Sequence, residues 1–227
     1  MPIRKSTAFV LVFTAFLSLS LYVFANGMLT ERVPGSCKDF NRFLADKGAK
    51  AKDSDPDTKR EPKRAGVTRA TIETVKGIQT TRRRTPDGQY CSTVSFPDFP
   101  FTLTQSSRIL EWKPSSSPSA ACSRFIDQWT QAVEDHERSH LAANIDYVQK
   151  QKAQWQPLKF DKCEQGTPPA VFTETDRQVI AEAKDALDKM LDSMTKDIQK
   201  LSDDFHQTDR GGPTRPLDCS VCKVAGD

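Results

Sequence analysis

A chain of 227 residues, 37% of them hydrophobic and 28% charged, is long enough to bury a core of its own. Its 33 basic residues nearly balance its 30 acidic ones, for a formal charge of +3. This balance excludes the strongly basic surface of a nucleic-acid-binding domain, and we expect no nucleic-acid partner.

The first 25 residues have the features of a secretory signal peptide. Arg4 and Lys5 precede an uncharged, mostly apolar run over residues 8–24, and Val23-Phe24-Ala25 is a cleavage site of the small-x-small type. We predict cleavage after Ala25 and a secreted or periplasmic protein with no stable membrane partner afterwards. The alternative is an uncleaved segment that anchors the chain to a membrane, although the run is short for a span.

Residues 26–65 are predicted to be an N-terminal segment followed by a linker. Phe40, Phe43 and Leu44 suggest a short helix, whereas residues 48–65 carry almost no large apolar side chain. Such a composition cannot bury enough surface to offset the entropy of ordering, so we predict a mobile charged linker. The folded domain is then residues 66–227.

Strands are predicted between about residues 67 and 110, where β-branched and aromatic residues alternate with polar ones. Thr85-Pro86-Asp87-Gly88 is a turn sequence that would join two of these strands as a hairpin. The adjacent run Arg82-Arg83-Arg84 is interpreted as a solvated strand end, with substrate steering as the alternative.

Two long helices are predicted after the strands. Ser117-Pro118 provides a helix start, and the first helix would extend to about Trp155. A loop over residues 156–172 would lead to Thr173-Glu174-Thr175-Asp176, which resembles a capping box, and to a second helix that ends near Gly211. We therefore predict an α+β fold with a small antiparallel sheet and two long antiparallel helices.

The six cysteines all follow the predicted signal peptide, which indicates three disulfides in an oxidising compartment. Cys219-x-x-Cys222 could instead be a redox pair or half of a zinc site, but neither the preceding strand nor a second cysteine pair is present. If the helices are antiparallel, Cys122 lies near the tail, so we predict that it pairs with Cys219 or Cys222.

A metal-site motif lies in the middle of the first helix. His136-Glu137-Arg138-Ser139-His140 is an H-E-x-x-H sequence, and residues four apart share one helix face, so both imidazoles can reach one ion. Glu137 flanks that face, where a carboxylate can act as general base toward a water that zinc activates. Two histidines on an apolar helix face indicate a zinc site more strongly than a packed core.

The third metal ligand is left open by the sequence. His206 is the only other histidine, but in a symmetric helix hairpin it would lie roughly 24 Å along the axis from the pair. Glu182 and Asp185 are the alternatives, since residues near 186–190 would then face the pair. Asp146 has the spacing of a third ligand in some zinc proteases, but on a continuing helix it points away from the ligand face.

Residues 67–215 resemble a bacterial family of predicted secreted zinc-dependent proteases. The matching residues, in chain order, are Tyr90-Cys91, Phe99-Pro100, Trp112, Trp129, the H-E-x-x-H motif and the segment from Phe205 to Gly211. The chain departs from the family at Ser139, where glycine is common, and at Arg210, where a histidine often stands.

The resemblance implies a zincin-like metalloprotease domain over residues 66–227 that cleaves protein or peptide substrates. His136, His140 and His206 would hold Zn²⁺, and Glu137 would be the catalytic base. The alternative is a secreted, non-catalytic helical binding module with a structural or vestigial metal site.

Overall fold

The computed structural model describes residues 27–47, 65–74, 78–208 and 217–222. The predicted signal peptide and nearly all of the predicted linker lie outside these residues. The described elements follow in chain order: β1 (Gly27–Gly35), α1 (Cys37–Lys47), β2 (Gly66–Thr74), β3 (Gln79–Arg84), β4 (Tyr90–Phe96), β5 (Phe101–Pro114), α2 (Ala120–Ala153), β6 (Leu158–Glu164) and α3 (Ala170–Thr208). None of the helices in these four stretches is long and apolar enough to cross a membrane.

The strands form two three-stranded sheets. Sheet 1 has the order β1-β5-β2, with β1 parallel and β2 antiparallel to β5. Sheet 2 has the order β3-β4-β6 and is antiparallel throughout. The predicted α+β class is confirmed, but the single antiparallel sheet is corrected to two sheets, one of them mixed.

The predicted hairpin is present between β3 and β4. Gly88 donates its backbone N–H to the Thr85 carbonyl at 3.0 Å and has a φ of 89°. That left-handed backbone conformation carries little steric cost only for glycine, so the turn residues fix the register of the hairpin.

A first apolar cluster lies between sheet 1, α1 and the start of α2. Phe40 and Leu44 of α1 pack there with Trp112 of β5, and the tail residue Leu217 closes the cluster. Trp112 also donates its indole N–H to the Gly35 carbonyl at 2.9 Å. Residues 27–47, which were assigned to a segment ahead of the domain, therefore pack in one core with β5 and α2.

A second apolar cluster lies between sheet 2, the first half of β5 and α3. Its buried α3 residues are Val179, Ala183, Leu187, Met194 and Ile198, and the partly buried Met190 and Leu191 pack against the cluster between Leu187 and Met194. Val179 faces this cluster, whereas the neighbouring Ile180 is 37% exposed.

Two of the arginines in the run Arg82-Arg83-Arg84 form ion pairs, one from sheet 2 to α3 and one within sheet 2. Arg82 binds Asp176 at the start of α3, and Arg83 binds Asp161 of β6 at 2.5 Å. The Arg82 hydrogen bond lowers the pKa of Asp176. The hydrogen bond from Thr93, with the charge of Arg83, lowers the pKa of Asp161. Two of the three arginines are thus engaged within the fold.

Two strands and two helix starts differ from the sequence-based predictions. β1 was not predicted because its glycines and proline disfavour strand; it forms as an edge strand against β5. Residues 158–164 are strand β6 rather than loop, held against β4 with Cys163 opposite Cys91. The N-cap of α2 is Ser119, not Ser117, and α3 begins at Ala170, ahead of the proposed capping box.

Three disulfides are present, as predicted. Cys122 pairs with Cys222, one of the two predicted partners, while Cys37 pairs with Cys219 and Cys91 with Cys163. Because Cys219 and Cys222 have different partners, the interpretation of this motif as a redox pair or zinc half-site is wrong. The bridges indicate an oxidising compartment.

Candidate metal centre

Helix α2 brings the two histidines of the motif together. Its first turn is capped by the Ser119 hydroxyl, which accepts the backbone N–H of Cys122 at 3.2 Å. His136 and His140 lie near the middle of the helix and are only 5% and 6% exposed. Their Nε2 atoms are 3.2 Å apart, so both rings point to one place, as residues four apart on a helix should.

His206 of α3 completes the cluster. Its Nε2 lies 3.0 Å from the Nε2 of His140, and the ligand nitrogens of the three histidines lie within 4.8 Å of one another. The ring of the preceding residue, Phe205, packs on both other histidines, with centroid distances of 5.0 Å to His136 and 4.7 Å to His140. The last turns of α3 thus supply both a candidate ligand and an apolar wall.

The carboxylates considered as rival ligands are engaged elsewhere. Glu182 faces Lys162 at 3.6 Å, and Asp185 pairs with Lys189 at 2.7 Å. Asp146 pairs with Lys150 at 2.7 Å on the exposed side of α2. The structure therefore brings His206 to the pair and leaves these acidic residues outside the cluster.

The donor set could hold a metal ion. Two imidazole nitrogens bound to one zinc at its usual Zn–N length stand about 3.3 Å apart in tetrahedral geometry. The Nε2 atom of His140 lies 3.0 Å from that of His206 and 3.2 Å from that of His136, and both separations are close to that spacing. Three imidazole ligands suit Zn²⁺ and related transition metals, and they leave one coordination position for water or substrate.

Glu137 is directed toward sheet 1 and is 2% exposed. Its Oε2 accepts a hydrogen bond of 2.6 Å from the Thr68 hydroxyl of β2. Its side chain also lies against Gly66, the first residue of the same strand. The motif glutamate is thus held on β2, within the protein rather than on its surface.

The contacts of Glu137 belong to a buried polar layer between the two apolar clusters. Asn144 donates to Gln105 at 3.3 Å, Gln105 donates to the Leu141 carbonyl at 3.1 Å, and Ser107 lies 2.6 Å from Thr68. These residues were not predicted from the sequence. The available signal was on β5, where Gln105 and Ser107 fall at inward positions of a strand that otherwise alternates apolar and polar.

A second group of candidate ligands, Cys91, Asp161 and Cys163, also lies close together. Cys91 and Cys163 form a disulfide, so neither sulfur is available as a thiolate ligand. One exposed carboxylate remains, which does not make a metal site.

No family model, no curated protein and no solved structure matches this chain. The likeness to secreted zinc-dependent proteases therefore depends only on the residues quoted for it above.

Proposed function

We propose that this protein is a secreted, zinc-dependent peptidase with a zincin-like domain. The observation that carries the proposal is the convergence of three histidine nitrogens within 4.8 Å, two of them from a helix with Glu137 between them. A metal site with a purely structural role gains nothing from a glutamate at this position.

The proposed reaction is the hydrolysis of a peptide bond. Zinc held by His136, His140 and His206 would supply Lewis acidity, polarising the scissile carbonyl and making water a stronger acid. Glu137 would take a proton from the attacking water as the new C–O bond forms. It would then pass the proton to the amine nitrogen as the C–N bond breaks.

The proposed compartment agrees with the disulfides. Three bridges persist in extracellular or periplasmic surroundings and not in a reducing cytosol. Secretion itself is proposed on the apolar segment of residues 8–24 and on the cleavage site after Ala25.

One observation favours the second candidate, a non-catalytic binding module with a structural metal site. His136, Glu137 and His140 are 5%, 2% and 6% exposed. A peptide would therefore need a small opening movement to reach the site, whereas a structural ion needs none.

Replacing Glu137 with glutamine separates the two functions. Glutamine keeps the size of the side chain and the helix but cannot act as a base. We expect Glu137→Gln to retain zinc and fold while peptide hydrolysis falls about 100-fold or more, the usual scale for a general base. Hydrolysis is measured on a mixture of unfolded proteins and on a broad peptide library, with and without chelator.

Glu134→Gln is the matched control. Glu134 is on the same helix, where it pairs with Arg138 at 3.4 Å, so its replacement should leave hydrolysis unchanged. If wild-type protein and Glu137→Gln cleave equally, or if neither cleaves any substrate, the peptidase proposal fails and the binding module remains.

A further inference from the structure

Glu137 is held by a chain of two hydroxyl groups from sheet 1. The Thr68 hydroxyl donates to Oε2 of Glu137 at 2.6 Å, and its oxygen lies 2.6 Å from Oγ of Ser107. A hydroxyl has one proton to donate. Since that of Thr68 goes to Glu137, Ser107 is the donor to Thr68, and the hydrogen bonds run in one direction from Ser107 to the carboxylate.

Gly66 leaves the space that the other side of the carboxylate needs. A Cβ atom at Gly66 would lie 2.8 Å from both Cγ and Cδ of Glu137 and closer still to Oε1. Real Cβ contacts do not approach this closely, so alanine at this position would displace the glutamate side chain. Glycine is needed here because it has no side chain and not because of its backbone conformation, since the backbone of Gly66 is not in the left-handed region.

We propose that strand β2 is the positioning element for Glu137, with Gly66 and Thr68 as positioning residues and Ser107 orienting the Thr68 hydroxyl. The two contacts act on opposite oxygens, so the carboxylate has one orientation beside the histidines that precede and follow it on α2. The catalytic consequence depends on the proposed function, since a general base must be held within hydrogen-bonding reach of the proton it removes.

The first test needs no enzymatic activity. Urea unfolding of the full disulfide-bonded protein at fixed zinc concentration is compared for Gly66→Ala, Glu137→Ala and the double variant. We expect Gly66→Ala to lower the unfolding midpoint in the presence of Glu137 and to cost little in the Glu137→Ala background, where the colliding atoms are gone. Equal losses in both backgrounds would overturn the proposal.

Thr68 is tested by the same design, a double-mutant cycle with Glu137→Ala, using a conservative pair of substitutions. Thr68→Val keeps the shape of the side chain and removes the hydroxyl, whereas Thr68→Ser keeps the hydroxyl. We expect valine, but not serine, to lower the midpoint, and the loss to disappear in the Glu137→Ala background. A loss that is the same for valine and serine would mean that only packing matters at this position.

The catalytic consequence is tested by steady-state kinetics on a cleaved peptide. We expect Thr68→Val to lower kcat about 10- to 100-fold, the scale for groups that orient a metal-site residue, with KM and zinc content unchanged. Thr68→Ser should restore kcat. An unchanged kcat in Thr68→Val would overturn the positioning role.

The two proposals fail in different ways. If wild-type protein cleaves nothing but the losses of stability in the double-mutant cycles are non-additive, the peptidase is excluded and the contact of β2 with Glu137 stands. If wild-type protein cleaves peptides but the cycles are additive, the peptidase stands and the positioning role of β2 is excluded.

Discussion

His206 supplies the third imidazole from helix α3 and lies 66 residues after His140 in the chain. A ligand bound directly to the ion contributes more to affinity than the groups that orient it, whose loss costs about 10- to 100-fold. We therefore expect His206→Ala to weaken zinc binding on the order of 100-fold or more, and the wild-type protein to hold about one zinc per chain. Competition with a chromogenic chelator measures both quantities.

Glu182→Gln and Asp185→Asn are the controls for this experiment. Both carboxylates face lysines on the protein surface, so their removal should leave zinc affinity unchanged. Unchanged affinity in His206→Ala, or metal-free wild-type protein from a zinc-replete preparation, would contradict the three-histidine site.

Single residues of the site were predictable where the spacing is local. His136, Glu137 and His140 follow from one turn of helix, whose geometry is the same in any fold. Gly66 and Thr68 were not, because their role depends on which strand packs against that turn. A glycine and a threonine in a strand carry no signal that distinguishes such a role.

At the scale of elements, the position of His206 depends on the register between α2 and α3. His140 meets His206, and the Tyr147 hydroxyl donates to Asp197 Oδ2 at 2.7 Å, so the helices are antiparallel. A symmetric hairpin would have placed residues 186–190 opposite the histidine pair. The observed register differs from this by about 18 residues, or about 27 Å of helix.

Strand β6 accounts for this offset. The predicted loop of residues 156–172 folds instead as a strand on β4, tied there by the Cys91–Cys163 bridge. Helix α3 therefore begins beside sheet 2, well beyond the end of α2. The register could not be read from helix lengths, because an unrecognised strand changes where the second helix starts.

Tyr147→Phe tests how much the Tyr147–Asp197 contact contributes to this register. The substitution removes one hydrogen bond to a charged group, so we expect the free energy of unfolding to fall by about 1–2 kcal/mol. Zinc affinity should change less than 10-fold, because α3 is also packed on β4 and β6. Urea unfolding and chelator competition provide the two measurements, and a loss of affinity above 10-fold would show that this contact sets the register.

The same contact predicts a dependence on alkaline pH. Burial, together with the hydrogen bond to Asp197, raises the pKa of Tyr147. The folded protein therefore holds the phenol proton more tightly than the unfolded chain. The stability gained is complete below about pH 10, the ordinary pKa of tyrosine, and is lost as the pH rises above it. Wild-type protein should lose stability more steeply than Tyr147→Phe in this range.

At the scale of the whole molecule, two disulfides attach the tail, residues 217–222, to the first apolar cluster. Cys219 is bonded to Cys37 of α1, and Cys222 to Cys122 of α2, across 182 and 100 residues. We expect the double substitution Cys122→Ser/Cys222→Ser to lower stability by about 2–5 kcal/mol. It should also weaken zinc binding, because the tail follows the helix end that carries His206.

Cys91→Ser/Cys163→Ser is the matched control, since this bridge joins β4 to β6 in sheet 2. It should lower the thermal midpoint while zinc affinity stays close to the wild-type value. If both double substitutions affected zinc equally, the tail bridges would have no particular connection to the metal centre.

The overall class of the fold was predictable, but its division into two sheets was not. The alternation of residues 67–110 and the long apolar helix stripes predict an α+β protein. The parallel pairing of β1 with β5 brings together residues 79 positions apart, such as Arg32 and Glu111. Periodicity within a segment contains no information about so distant a partner.

The separation of the histidines in sequence determines when the proposed zinc site can form. One turn of α2 brings His136 and His140 together, but His206 joins them only through the packing of α3 on sheet 2 in its shifted register. Two imidazoles on a fraying helix bind an ion far more weakly than three held in place. Zinc uptake at the proposed site would therefore report tertiary folding: the rate at which zinc becomes resistant to a chelator should follow the rate at which α3 docks.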